Sequence, residues 1–392
     1  MKLLVIGFGQ CGCRIADEFA RLNRRARSQR GIEIITGVFA VNTDAADLSG
    51  LSSIKPNYQH RILIGGRKTS GHGVGKINEL SAEIAKEDGD KVIDAIRTAQ
   101  HFFESDAFLL IAAAAGGTGS GSIPIMTQLI KERYMDKPVY DLIVLPFQHE
   151  EETEERTLYN TAICLKSVSS VADAIILVDN QRYVRKDFSL KNNLAKINAL
   201  IVEPFYNLLC AGEEKKVKYI GTRTLDAGDI IQTVVGWTAL GYGKSQLPLF
   251  RLPFERTRNF RKKSTETYKG IQAMDEAISE LSVKCNPVDS GRALYLISAP
   301  AKEMNMDLIK DLGDYMKDIA SQASLRNGDY PREKGVLDVT VILSELSDVE
   351  KVRNYYTKSA DFIQEVKRRQ EEEIKIKLSG MDEASKDIPS LL

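Results

Sequence analysis

The sequence predicts an α/β protein of two domains, a doubly wound parallel sheet followed by a smaller α/β or α+β unit. Three observations carry that expectation. Short apolar runs alternate with helix-period segments through the first half of the chain. Two of those runs end directly in glycine-rich loops that open helices, and glycine thins out after about Pro248. With 392 residues, 43% of them hydrophobic, the chain can bury two cores.

Composition narrows the function before any motif is read. Lys+Arg and Asp+Glu each number 54, so there is no global attraction for nucleic acid or for an anionic membrane. The longest clean apolar run, residues 108–115, is too short to span a bilayer, and Met1 leads straight into a strand. A cytoplasmic protein is expected, with no nucleic-acid partner and no direct membrane insertion. The five cysteines, at 11, 13, 164, 210 and 285, are odd in number and lack CxxC spacing, which suits a reducing compartment and indicates neither zinc nor a disulfide framework.

The first strand, Leu3 to Ile6, runs into Gly7-Phe8-Gly9-Gln10-Cys11-Gly12 and a helix from about Cys13 to Leu22. Alone this is the dinucleotide pattern GxGxxG, and an NAD-dependent oxidoreductase is the reading it supports. Such a site wants an acid about 20 residues further on, closing the next strand. The strand Ile32 to Val41 ends instead in Asn42-Thr43-Asp44, farther along than that. A basic glycine-rich loop follows, Gly65 to Gly75, with Arg67 and Lys68 able to answer phosphate charge. A solvated surface loop is its plainer reading.

After the apolar strand Phe108 to Ala113 comes Ala114-Ala115-Gly116-Gly117-Thr118-Gly119-Ser120-Gly121-Ser122, then a helical pattern to Ile130. Strand, glycine loop and helix in that order make an anion cradle of backbone N–H groups at the positive end of a helix dipole. Thr118 and Ser120 add hydroxyls. The loop holds no Lys or Arg, so it is not a Walker loop. Strands from Val139 to Pro146 and from Ala174 to Val178 follow, each with polar residues at its end, where doubly wound sheets bind ligands. A helix from about Lys191 to Cys210 contains Pro204, and Gly221 to Ile230 leads into a helix expected to run to Leu240. The second unit shows helix patterns at 264–283, 304–322 and 347–377 and strands at 292–298 and 336–343. Residues 363–377 are charge-dense and 378–392 form a polar tail. The arginines at 21, 24, 25, 27 and 30 read as a solvated helix end, with a docking patch as the alternative.

The loop Gly116 to Gly121, set after Gly9-Gln10-Cys11-Gly12 and before Asp226-Ala227-Gly228-Asp229, resembles the tubulin/FtsZ superfamily of polymerising GTPases, most of all its archaeal CetZ group. The resemblance covers roughly residues 1–240. It implies a Rossmann-like parallel-sheet GTPase domain over 1–212 ending in the central helix, an acidic catalytic loop and helix at 213–240, a C-terminal assembly domain at 241–365 and a charged helix and tail at 366–392. It also implies GTP or GDP as ligand, with Mg²⁺ held mainly by phosphates and water, and head-to-tail self-assembly into protofilaments serving cell shape or cell division. The terminal Asp387-Ile388-Pro389-Ser390-Leu391-Leu392 resembles the FtsZ tail peptide, which implies a division or membrane-anchor partner.

Carried over position by position, the resemblance implies that Gly9, Gln10, Cys11 and Gly12 form the first nucleotide loop, Asn42 and Asp44 the second, and Gly71, Gly73 and Gly75 the third. Gly116, Gly117, Thr118, Gly119, Ser120 and Gly121 form the signature loop, where Ala115 stands in place of a third leading glycine and Cys13 in place of a frequent asparagine. Glu152 and Arg156 keep the Glu-x-x-x-Arg spacing of a ribose site, with Glu150 as the alternative in the same acid-rich segment. Asn180 and Asn198 match the base-reading positions, and guanine offers N–H donors that a carboxamide oxygen can accept where adenine cannot, which favours GTP over ATP. Asp226 and Asp229 resemble the acids that act on the nucleotide of the next subunit. N-capping of the helix that follows is their plainer use. A nucleotide-binding regulator that neither hydrolyses nor polymerises is the remaining rival.

Overall fold

The computed structural model describes residues 1–184, 190–247, 260–333 and 335–360, with 364 and 368. The composition change at Pro248 and the tail with its Asp387–Leu392 peptide lie outside the described residues.

The apolar runs of the first half form parallel strands: β1 (Leu3–Phe8), β2 (Ile35–Asn42), β3 (Arg61–Leu63), β4 (Ala107–Ala113), β5 (Val139–Leu145) and β6 (Ala174–Asp179). Every residue of β1, β5 and β6 is buried, because helices cover both faces and an alternating pattern would put polar groups into one of the two cores. Among the described residues the helices are α1 (Gly9–Arg30), α2 (Ala45–Ser49), α3 (Gly66–Thr69), α4 (Asn78–Arg97), α5 (Thr118–Arg133), α6 (Gln148–Thr153), α7 (Glu155–Ser169), α8 (Leu190–Ala211), α9 (Ala227–Thr233), α10 (Phe260–Ser279) and α11 (Met306–Ile319). A further helix over residues 350–360 is α12. Side chains of α1 and α8 share a core on one face of the sheet, and those of α4, α5 and α7 share a core on the other.

The second unit does not start a separate sheet. β7 (Gly236–Gln246) pairs parallel with β6 through Ala174↔Gly236 to Ile176↔Thr238, then antiparallel with β10 (Val336–Leu346). β8 (Ser290–Ala299) and β9 (Ser324–Pro331) complete a ten-stranded sheet of order β3-β2-β1-β4-β5-β6-β7-β10-β8-β9. The helix expected to reach Leu240 stops at Thr233. β-branched Val234 and Val235 and the positive φ of Gly236, 59°, turn the chain into β7. β9, with the polar sequence SLRNGDYP, carries no apolar run, and its pairing with β8 at the sheet edge makes it a strand.

α8 runs the depth of the parallel sheet. Leu194 and Asn198, in its first half, stand at the carboxyl ends of the strands. Near its other end the Leu209 carbonyl accepts a hydrogen bond from the Met1 α-amino group at 3.1 Å, at the amino end of β1. Its stretch Leu194–Ala211 is apolar enough to cross a membrane by composition, yet 61% of it is buried inside the protein, packed between α1 and the sheet. Four of the arginines of α1 have side-chain partners. Arg25 pairs with Glu203 at 2.8 Å and stacks on Tyr206, Arg30 stacks on Tyr330, Arg24 donates to Ser53, and Arg27 pairs with Glu33.

Candidate functional site

At the carboxyl ends of β1, β2, β4, β5 and β6 the loops enclose a cleft of 380 Å³. Two long helices begin there, α1 at Gly9 and α5 at Thr118. Neither N-terminus is capped by a side chain, and neither has an acid in its first turn. A helix start leaves its first N–H groups without intrahelical partners, so two sets of donors and two positive dipole ends converge on one space. Such an arrangement favours an anion over a cation.

The tight packing of the two loops explains their glycines. A Cβ on Gly9, whose φ is +67°, would sit 2.9 Å from the Gly119 nitrogen, so the first and fourth loops touch backbone to backbone. A Cβ on Gly12 would sit 2.1 Å from the Ile111 carbonyl, and one on Gly121 2.1 Å from that of Asn78. Gly12 and Gly121 therefore seat α1 against β4 and α5 against α4 and do not line the cleft. Gly116 has nothing within 4 Å of its would-be Cβ and faces the open space, with Gly117, Thr118 and Gly119 beside it. Thr118 shares a hydrogen bond with Thr43, their hydroxyl oxygens 2.7 Å apart. Ser120 is buried and donates its hydroxyl to the Gly116 carbonyl, away from the cleft.

On the β2 side, Asn42 and Asp44 line the cleft together with Asp47, which the sequence reading did not single out. Asp47 accepts from the Gln10 amide at 2.7 Å and from the Asn42 amide at 3.1 Å, linking the first and second loops. Asp44 caps α2 by accepting from the Ala46 and Asp47 N–H groups at 2.8 and 3.1 Å. In the third loop Gly73 and Gly75 reach the cleft, while Gly71 gives its carbonyl to the Ala45 N–H at 3.0 Å outside it. Lys76, at φ +63°, and Arg14, on α1, also line the cleft and supply the cations that the signature loop lacks. Burial pushes the Cys11 thiol up to about 12, so it presents a neutral thiol to the cleft at neutral pH.

In the acid-rich segment the cleft takes Glu150 and not Glu152. Glu150 also accepts from the Phe147 N–H at 2.9 Å, whereas Glu152 accepts from the Gln148 amide at 3.1 Å. Arg156 reaches the Lys76 carbonyl and Glu79, each at 3.3 Å, and holds the third loop from behind. Asn160, another residue unflagged by the sequence, donates to the carbonyls of Lys76, Ala115 and Gly116 at 3.0–3.2 Å and ties two loops together. A mid-helix asparagine gives no sequence signal of such a role. Asn180 and Asn198 both line the far wall. Among the described residues no group of three or more His, Cys, Asp or Glu side chains could hold a metal ion.

Asp226 and Asp229 lie elsewhere. Asp226 caps α9 by accepting from the Asp229 N–H at 2.9 Å, and the Asp229 carboxylate faces the Asp226 N–H at 3.5 Å and the Arg326 guanidinium at 3.4 Å. A Cβ on Gly212, just past the end of α8, would sit 3.2 Å from the Asp226 Cα. From Asn198 to Gly212, α8 covers about 20 Å at 1.5 Å per residue. The acids thus stand at the opposite end of the sheet from the cleft of their own chain.

A model of the tubulin/FtsZ family GTPase domain matches residues 2–186, and a model of the C-terminal domain of tubulin-like CetZ proteins matches residues 187–361. The tubulin-like protein CetZ1 of Haloferax volcanii is 31% identical over 346 residues, 84% of each chain. The chain belongs to the tubulin/FtsZ family, in its CetZ group. The GTPase-domain match holds the lining of the cleft except for Leu194 and Asn198 of α8, which fall in the second match. Among solved structures, the GDP-bound monomer of Haloferax volcanii CetZ1 superposes with a TM-score of 0.77 at 28% identity, covering 92% of this chain and 99% of that one. The GTPγS-bound protofilament of CetZ2 from the same organism gives 0.78 at 27% identity, covering 94% and 100%.

Two departures from the family pattern have a structural account. Ala115 is not among the residues of positive φ, so its methyl is tolerated, and its carbonyl is held by Asn160. Cys13 is fully buried beneath the first loop, its sulfur 3.4 and 3.5 Å from the carbonyls of Gly7 and Val41.

Proposed function

We propose that this chain binds GTP or GDP in the cleft, assembles head to tail into protofilaments, and hydrolyses GTP where one subunit's cleft meets the acids of the next. The convergence of two uncapped helix N-termini carries the phosphate half of that reading. Backbone N–H groups of Gly116 to Gly119 and of the Gln10 turn would grip the phosphates, with Gly73, Gly75 and Lys76 around the terminal one. Glu150 would take the ribose hydroxyls, and Asn180 and Asn198 the guanine edge. Gln10 and Asp47 suit a metal-bound water, the metal neutralising phosphate charge when bound. Phosphoryl transfer needs charge stabilisation and an oriented water, and a carboxylate suits the water.

The roughly 20 Å between cleft and acids supports hydrolysis in trans, since Asp226 and Asp229 cannot reach their own chain's γ-phosphate. A head-to-tail contact has no closing rotation and propagates as a filament. The protofilament of the CetZ2 relative supports the same mode of assembly here. We assign the nucleotide domain to 1–212, the acidic loop and helix to 213–240, the assembly domain to 241–365 and a tail to 366–392, and place the filament in the cytoplasm in cell shape or cell division. GTPase rate measured against protein concentration tests the reading. A rise steeper than linear, with filaments in negative stain when GTP and magnesium are present, is expected. Strict proportionality down to the lowest concentrations would overturn it in favour of a self-sufficient monomer.

A further inference from the structure

The GTPase domain ends, by the family match, well before α12, yet α12 reaches back to the rim of the cleft. Val352 and Tyr355 anchor it in the core on the α7 side of the sheet. Its Lys351 ammonium lies 2.6 Å from the Asp179 carboxylate. That same carboxylate oxygen accepts from the Gln181 N–H at 3.1 Å and so caps the short turn that begins with Asn180. One helical turn on, the Tyr355 hydroxyl donates to Glu151, the neighbour of Glu150 in α6. Lys351 and Lys358 stand 4.0 Å from the two oxygens of Glu151. Asp179 and Glu151 keep only 11% and 13% side-chain exposure, so losing these partners would leave polar groups in the interior with fewer contacts.

We propose that α12 is a positioning element for nucleotide recognition: Lys351 sets the Asn180 turn that faces the base, and Tyr355 sets the Glu150 segment that faces the ribose. The inference rests on the nucleotide placement given above. Both segments are short, a single 3-10 turn and a six-residue helix, and such pieces hold their geometry through tertiary contacts more than through their own hydrogen bonds. A second-domain helix that grips both can pass a movement of the assembly domain to the nucleotide, and the reverse.

The test compares binding of GDP, IDP and 2′-deoxy-GDP to the full-length protein. IDP lacks the exocyclic amine, and 2′-deoxy-GDP lacks one ribose hydroxyl. Lys351→Gln is expected to weaken GDP on the order of tenfold and IDP much less, contracting the GDP/IDP ratio while leaving GDP/2′-deoxy-GDP unchanged. Tyr355→Phe keeps the ring in the core and is expected to contract the GDP/2′-deoxy-GDP ratio instead. Lys351→Arg, which retains the charge, should restore the GDP/IDP ratio. Equal loss for all three nucleotides, or no loss in either variant, would mean that α12 is only structural and would overturn the proposal. Failure of the wild-type protein to prefer GDP over ADP would overturn the nucleotide reading itself, and that outcome is read before any variant is made.

Discussion

The two ends of the parallel sheet answer the problem of polar groups at strand termini in opposite ways. At the carboxyl ends, glycine loops bring backbone N–H groups of α1 and α5 to an open cleft and leave them for a ligand. At the other end, α1, α8, β9 and β10 meet in a network of paired side chains. Arg332 pairs with Asp338 at 3.5 Å and donates to Asn207, and Asn207 also donates to Asp338 at 3.3 Å. Arg30 approaches Glu214 at 3.8 Å and stacks on Tyr330, whose hydroxyl donates to Glu214 at 2.9 Å. One end is left unsatisfied and can bind. The other pairs charged side chains with one another and holds the second domain against the first.

That contrast makes separable predictions. The largest effect is expected at the closed end. Arg332→Ala removes the cation beside the buried Asp338 carboxylate and should cost about 3 kcal/mol of stability, read by denaturant unfolding, while nucleotide affinity of the folded fraction holds. A variant as stable as the parent would show the network to be slack. Next comes Asp229→Ala, expected to lower GTP turnover about 100-fold or more with GTP binding intact. Loss of the capping interaction alone would cost about 1 kcal/mol of stability and leave turnover per filament unchanged, which is the outcome that sinks the trans-acid role.

Within the open end the glycines themselves divide. Gly116→Ala places a methyl in the cleft with nothing to strike, so stability should stay within about 0.5 kcal/mol while GTP affinity drops about tenfold. Gly12→Ala drives a Cβ to 2.1 Å from a backbone carbonyl and should impair folding first, measured as soluble yield and melting temperature. If the two variants behave alike, the division between lining and seating glycines is wrong.

The smallest effect concerns Asp141, fully buried in β5, with the Thr127 hydroxyl at 2.8 and 3.0 Å from its two oxygens. Burial raises its carboxyl well above the usual carboxylate range. Below the unfolded-state pKa both states hold the proton. As pH rises past it the unfolded chain releases the proton while the folded one keeps it, so stability falls. Asp141→Asn should therefore stabilise by on the order of 1 kcal/mol at pH 7 and hardly at all near pH 4. Equal melting shifts at both pH values would contradict this.

Much of the site was legible because it is written in backbone chemistry. Glycine spacing after an apolar run announces a loop and a helix start wherever it occurs, so the lining by Gly9, Gly73, Gly75 and Gly116 to Gly119 could be expected from local sequence. Asp47, Lys76, Arg14 and Asn160 were not legible, since each matters only through what the fold sets beside it. The choice of Glu150 over Glu152 belongs to the same class. Two residues apart in an acid-rich run, they differ only in the direction that α6 gives them.

By itself the sequence determined an α/β domain, the position of its glycine loops and the presence of an acid pair at a later helix start. Those features depend on local backbone propensity and hydrophobic period, which a few neighbouring residues settle. Only the tertiary structure decided that residues 236–246 form a strand joining both domains into one sheet, that Gly12 and Gly121 seat helices, and that Asp226 and Asp229 stand about 20 Å from the cleft of their own chain. Those outcomes depend on pairings and contacts between segments far apart in the chain, and distance along the sequence carries no measure of distance in space.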